Sequence, residues 1–265
     1  MSATLTADDV RVTFHRRDRV PVVAVDGVSL AVPAGGAVGL VGESGSGKST
    51  LARVITGIQK PDGGSVRLDG ELLRPRRSPS QRRQIQLVFQ DPYSSLNPRR
   101  TIRSVLRELL AVHGLARGDC AEERCAELMA LVGLPEAALD RKPSAFSGGQ
   151  RQRLAIARAL AVEPSLIVAD EPVSALDVSI QATILELFAG LRAQLGVGLL
   201  LISHNLAVVR QLCDEVAVMY QGRIVEVGER DQIFDAPQHP YTRTLLDAVP
   251  RLPRSNSAGD APGEP

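Results

Sequence analysis

Apolar and polar positions change period several times along this 265-residue chain, and the changes divide it into segments. Residues 5–14 (LTADDVRVTF) alternate and end in an aromatic, and residues 20–32 resume with β-branched side chains around Asp26-Gly27. Period-two alternation predicts strands here, with a turn at Asp26-Gly27, in a small antiparallel sheet. Residues 38–41 (VGLV) form an apolar strand, while residues 50–57 (TLARVITG) carry apolar positions at helical spacing. A turn at residues 60–64 (KPDGG) precedes an alternating strand at 65–70. Residues 73–83, basic and polar with Pro75 and Pro79, read as a solvated loop, and residues 84–89 as a strand. From residue 101 to 161 the spacing becomes helical: Ile102, Val105, Leu106, Leu109 and Leu110 recur at three and four, as do Cys125, Leu128 and Met129, with breaks at Gly114 and Gly133.

The remaining segments set apolar strands at 165–170 and 197–202 among helices at 151–160, 180–195 and 206–212, then a hairpin at 216–227. Strands that are apolar throughout and separated by helices predict a parallel sheet covered on both faces, an α/β fold. With 44% hydrophobic residues the chain can bury a sizeable core as one large domain or two joined lobes. A net charge of +1 supplies no global field for nucleic acid or anionic lipid, so any such partner would have to be met by a local patch, and no nucleic acid is expected among the partners. Cys120, Cys125 and Cys213 are too few and too scattered for a disulfide framework or a metal site, and read as thiols in a reducing cytoplasm. Residues 1–19 lack an apolar targeting region, and no apolar run approaches the length that spans a bilayer, so any membrane crossing is expected of another chain. The tail 254–265 (RSNSAGDAPGEP) cannot form a core and is expected to be disordered.

Gly42, Glu43, Ser44, Gly45, Ser46, Gly47, Lys48 and Ser49 fit G-x-x-x-x-G-K-[ST] between a strand and a helix that begins at Thr50. Glycines let backbone N–H groups wrap a phosphate, the lysine reaches the outer phosphates, the last hydroxyl holds magnesium, and the helix dipole adds to the cradle. Asp170 and Glu171 end a buried strand, where ligands bind in parallel sheets. Asp170 is expected to hold magnesium through water, and Glu171 to orient and deprotonate the attacking water. His204 follows another strand end as a donor to the γ-phosphate. Gln90 occupies the same kind of position, where an amide binds magnesium or the attacking water. Ser147, Gly148, Gly149 and Gln150 open a helix and form a second anion site, or else a plain N-cap and turn. As an anion site in one ATPase, it makes sense if it completes the site of a partner subunit across a dimer. Phe14, in a chain with 3% aromatics, either stacks on an adenine ring or packs as an ordinary apolar residue.

In order and spacing, Gly42 to Ser49, Gln90, Ser147 to Gln150, 166–171, Ser174-Ala175-Leu176-Asp177 and His204 resemble the Walker A, Q-loop, signature, Walker B, D-loop and H-loop of ABC-transporter ATP-binding subunits, over roughly residues 5–250. Phe146 stands before the signature where leucine is more familiar. The QDPYSSLNPR stretch at 90–99, and PQHPYT at 237–242 followed by Leu245-Leu246, resemble the oligopeptide/dipeptide/nickel importer subfamily. The resemblance implies a P-loop NTPase (ABC ATPase) core with an N-terminal antiparallel β-subdomain and an inserted α-helical subdomain. It divides a single domain, 1–253, into a core (1–92 and 162–230), a helical subdomain (93–161) and a C-terminal extension (231–253). It also implies ATP and Mg2+ as cofactors, Asp177 at the nucleotide, and hydrolysis at a head-to-tail dimer interface on the cytoplasmic face of the cell membrane. The implied partners are two transmembrane permease subunits, a second ATP-binding subunit, identical or paralogous, and indirectly an extracytoplasmic solute-binding protein. The permease's coupling helix is expected beside Gln90, against residues 91–99. The rival expectation is a soluble mechanical ATPase of the same superfamily acting on DNA or the ribosome; such proteins usually carry two cassettes or coiled-coil insertions.

Overall fold

The computed structural model describes residues 4–15, 20–91 and 95–248. The expectations for the permease-facing residues 92–94 and for the tail from 254 lie outside these residues. In chain order, β1 (Leu5–Phe14), β2 (Val22–Val32) and β3 (Ala37–Val41) lead into α1 (Lys48–Ile55). Next come β4 (Gly63–Leu68), β5 (Glu71–Leu72), α2 (Pro79–Gln84) and β6 (Ile85–Val88). Helices α3 (Ile102–Val112), α4 (Asp119–Leu131) and α5 (Gly148–Leu160) precede β7 (Leu166–Asp170), α6 (Val178–Leu195) and β8 (Gly198–Ile202). The described chain closes with α7 (Leu206–Leu212), β9 (Glu215–Tyr220), β10 (Arg223–Glu229), α8 (Arg230–Asp235) and α9 (Pro240–Asp247).

The strands form two sheets. One is antiparallel, in the order β2-β1-β4-β5; the other has six strands in the order β10-β9-β3-β8-β7-β6, parallel except for β10. Alternate residues of the parallel strands feed two cores. Val38, Leu40, Val168, Leu200 and Ile202 face the antiparallel sheet and α1, while Val41, Ala169, Leu199 and Leu201 face the helices. Burial on both faces is why these strands read as unbroken apolar runs. The helical layer of α3, α4 and α5 packs Leu106, Leu128 and Leu154 into the second core. Arg103 of α3 ties this layer together, forking onto Asp140 at 2.7 and 2.9 Å and also meeting Glu122 of α4.

Two expectations need correction. Asp26-Gly27 is not a turn: β2 runs through it, and the register passes from Val12↔Val25 to Val10↔Val28, leaving one extra residue in β2. Gly27 absorbs this bulge at φ 67. The bulge aims Asp26 at the β9–β10 hairpin, where its N–H donates to the Gly222 carbonyl (2.8 Å) and its carboxylate receives Arg223 (2.6 and 2.8 Å). Residues 73–83 are likewise not all solvated loop. Ser78 caps α2 through a reciprocal pair with Gln81, with Pro79 at the first helical position. Arg77 and Leu73 are buried, and the Arg77 guanidinium donates to the Val54 and Ile55 carbonyls at the end of α1. Burial lowers its pKa to about 10.

Candidate active site

Buried strand β3 ends at Val41, and the loop that follows is pressed between two backbones. A Cβ on Gly42 would collide with the Met219 carbonyl oxygen of β9, and one on Gly47 with that of Ala24 in β2. Gly47 is the N-cap of α1 at φ 109, and no side chain caps the helix. The first amides of α1, including Ser49 and Thr50, therefore face the loop with the positive end of the helix dipole behind them. The Gly222 N–H donates to the Ser46 carbonyl at 2.9 Å and pins the loop from the hairpin side. Lys48 is 5% exposed. Its ammonium donates to the carbonyls of Gly42 (2.8 Å) and Glu43 (2.7 Å) and to Ser46 Oγ (3.3 Å). Burial lowers its pKa, opposed by the negative charges of Glu171, Asp170 and Glu43.

Parallel pairing sets the C-terminal ends of β6, β7 and β8 side by side, with Val88 opposite Ala169 and Asp170 opposite Ile202. Residues that follow those strand ends must therefore meet. Gln90 Nε2 lies 3.2 Å from Glu171 Oε2, and His204 Nδ1 lies 2.9 Å from Glu171 Oε1, so one carboxylate is held from both sides. Glu171 sits at φ 50, a conformation that costs on the order of 1–3 kcal/mol. Its N–H is tied to the Ile202 carbonyl at 2.9 Å, which holds it there. One residue earlier, Asp170 Oδ1 accepts from Ser49 Oγ at 3.1 Å. Burial raises the Asp170 pKa, and the Ser49 hydrogen bond opposes that rise.

The second expected cluster is assembled separately. Ser147 caps α5: its Oγ accepts from the Gln150 N–H (3.4 Å), and Gln150 Oε1 accepts from the Ser147 N–H (3.0 Å). Gly148 packs on Leu176, and Gly149 on Ile180 of α6. Asp177, the exposed N-cap of α6, makes no capping hydrogen bond. Among the described residues no hydrogen bond joins residues 147–150 to residues 42–50. Phe14 ends β1 opposite Val22, two residues from the Ala24 that touches the loop, and is 39% exposed. Two contacts were not foreseen as site contacts. Ser174 receives Gln90 Nε2 at 3.2 Å and donates to the Glu171 carbonyl at 3.1 Å. Tyr241 accepts from the Glu43 N–H at 3.1 Å. Ser174 lies within a motif already singled out, whereas nothing local to Tyr241 points toward residue 43.

Chemically, the loop offers a cationic cradle for phosphate, and Ser49 with Asp170 offers paired oxygens to a hard cation. Among the described residues no group of three or more His, Cys, Asp and Glu converges on a metal position. These donors therefore fit an ion that keeps water and ligand phosphates in its shell, as magnesium does.

A glycine loop opening a helix at the end of a parallel strand, beside two strand-end acids, defines a P-loop ATPase. The sequence family described as ABC transporter matches residues 25–174, and the one described as oligopeptide/dipeptide transporter, C-terminal region, matches residues 225–265. The chain belongs to the ABC transporter family. The dipeptide transport ATP-binding protein DppF of Escherichia coli is 49% identical over 234 residues, covering 87% of this chain and 70% of that protein. The oligopeptide transport ATP-binding protein OppF of Lactococcus lactis is 46% identical, covering 92% and 77%. Among solved structures, cbiO1 from Clostridium perfringens, part of the transporter complex cbiONQ, aligns with TM-score 0.76 and 27% identity, covering 88% of this chain and 90% of that one. The ATP-binding cassette MJ0796, in a dimeric post-hydrolysis state bound to ADP and Pi, aligns with TM-score 0.74 and 29% identity, covering 85% and 98%.

Proposed function

We propose that this chain is the ATP-binding subunit of an ABC importer, which hydrolyses Mg-ATP at the interface of a head-to-tail dimer to drive uptake of peptides, nickel or a related small solute. The dipeptide and oligopeptide transport named for its relatives supports the peptide end of that range. The observation that carries the hydrolytic reading is the convergence of Gln90 and His204 on Glu171 beside the Ser49–Asp170 pair.

Lys48 and the amides of residues 42–50 bind the phosphates, and Ser49, Asp170 and Gln90 hold magnesium. The ion, when bound, neutralises charge developing on the phosphate oxygens. A Glu171 carboxylate oxygen takes the proton of the attacking water, while Gln90 and His204 fix its orientation and His204 donates to the γ-phosphate. Ser147, Gly148, Gly149, Gln150 and Asp177 of a second cassette, identical or paralogous, close over the nucleotide, and Phe14 stacks on the adenine. Among the described residues no helix is long and apolar enough to cross a membrane. We assign the crossing to two permease subunits, with the cassette peripheral on the cytoplasmic face, the coupling helix beside Gln90, and an extracytoplasmic solute-binding protein acting indirectly. Residues 1–253 then form one ATP-binding domain, with a helical subdomain at 93–161 and an extension from 231. Replacing Glu171→Gln should leave the ATP dissociation constant within about twofold and lower turnover by about 10²–10⁴. A steady-state ATPase assay at the parent rate would overturn the assignment.

A further inference from the structure

Helix α9 brings the C-terminal region of the chain back to the phosphate loop. Tyr241 lies 198 residues from Glu43 in sequence, yet its hydroxyl accepts the Glu43 N–H at 3.1 Å. Its ring stacks on Tyr220, with centroids 4.1 Å and planes 33° apart. Tyr220 ends β9 directly after Met219, whose carbonyl packs on Gly42. Tyr241 therefore touches the loop with its hydroxyl and the wall beside the loop with its face. The start of α9 is anchored independently. The Glu226 carboxylate accepts the N–H groups of Gln238 (2.7 Å) and His239 (3.0 Å), and His239 Nδ1 accepts the Tyr241 N–H (3.2 Å). Leu245 and Leu246 pack on the core. Burial raises the Tyr241 pKa, so the phenol stays neutral at physiological pH.

We infer that Tyr241 is a positioning residue for nucleotide binding: its hydroxyl fixes the Glu43 amide, so the C-terminal arm holds the first turn of the phosphate loop ready for ATP. The inference rests on reading residues 42–49 as the ATP site. A loop already held in its binding conformation loses less freedom when the ligand arrives. The gain falls on binding rather than on chemistry, because Gln90, Glu171 and His204 are held by other contacts.

The test is a titration of the full chain with Mg-ATP, alongside steady-state ATPase kinetics. Binding is read by isothermal titration calorimetry, which serves parent and variants alike, because Tyr241→Phe itself removes one of the chain's three tyrosines. Tyr241→Phe retains the ring stack and removes only the hydroxyl. It should raise both the dissociation constant and KM for ATP about fivefold, the worth of one ordinary hydrogen bond. It should also leave kcat within about twofold and lower the melting temperature by no more than about 2–4 °C, the worth of that bond to the fold. Glu226→Gln, which loosens the start of α9, should weaken ATP binding in the parent chain but add nothing in the Tyr241→Phe background, because both act through one contact. An unchanged dissociation constant in Tyr241→Phe, with Lys48→Ala losing more than about tenfold, would overturn the inference and leave the ATP-site reading standing. Additive effects of Tyr241→Phe and Glu226→Gln would overturn the route through α9. Full affinity in Lys48→Ala would overturn the ATP-site reading and the inference together.

Discussion

Helices α1 and α5 both begin at glycine-rich turns, and they solve the problem of unpaired amides in opposite ways. At α1 the N-cap is Gly47 with no capping side chain, and a buried ammonium, Lys48, sits in the turn beside Asp170 and Glu171. At α5 the chain caps itself, Ser147 with Gln150, and both residues are exposed. A helix start that withholds side-chain caps and buries its own charge is arranged to be completed by an anion. One that satisfies itself is a finished surface, with Ser147 and Gln150 exposed to whatever is brought against it. Under the proposed function the pair would divide the work of one nucleotide, with α1 as the holder and α5 of a second cassette, identical or paralogous, as the lid.

The sharpest way to break this comparison is Ser147→Arg. Turnover should fall by two orders of magnitude or more, in line with loss of a charge-stabilising donor set. A single chain should bind ATP within about twofold of the parent, because residues 147–150 lie outside its own cradle. Lost affinity in the monomer, read by equilibrium titration, would make α5 part of the holder. A smaller effect is expected of Gly149→Ala, whose new methyl would strike Ile180 Cγ2. Overpacking of this kind costs about 1–3 kcal/mol and would also shift α5 against α6, so both melting temperature and dimer-dependent turnover should drop. A melting temperature equal to the parent's would show that Ile180 yields freely.

The smallest effect separates the two helix starts electrostatically. Burial raises the Asp170 pKa from its ordinary 3.8, so between that value and the raised one the folded chain keeps a proton that the unfolded chain has released. Stability therefore falls as pH rises through this interval, and the deficit persists at neutral pH. Asp170→Asn should raise the melting temperature of the nucleotide-free chain at pH 7. The gain should close below pH 3.8, where the carboxyl is neutral in both states. A gain that stays constant across pH, followed by calorimetry, would refute a charge-based origin.

Much of this site is legible in the sequence because it is local. Residues 42–49 are contiguous, and Asp170-Glu171 and His204 each end an apolar run. That those ends meet at Glu171 follows from the strand order, which places β7 between β6 and β8. Helix α2 escaped notice because six residues are too few to show a period, although Ser78 and Gln81 carry the spacing of a capping box. The Asp26-Gly27 pair misled because the glycine that permits a tight turn permits a bulge equally well. Tyr241 was out of reach for a different reason: its partner is a backbone amide, which leaves no trace in residue type.

Gly222 donates its N–H to Ser46 of the phosphate loop and accepts the Asp26 N–H of the antiparallel sheet, so a single residue is bonded to both. In mechanical terms it is a fulcrum. Through that one turn of chain the β1–β2 sheet and the phosphate loop bear on each other.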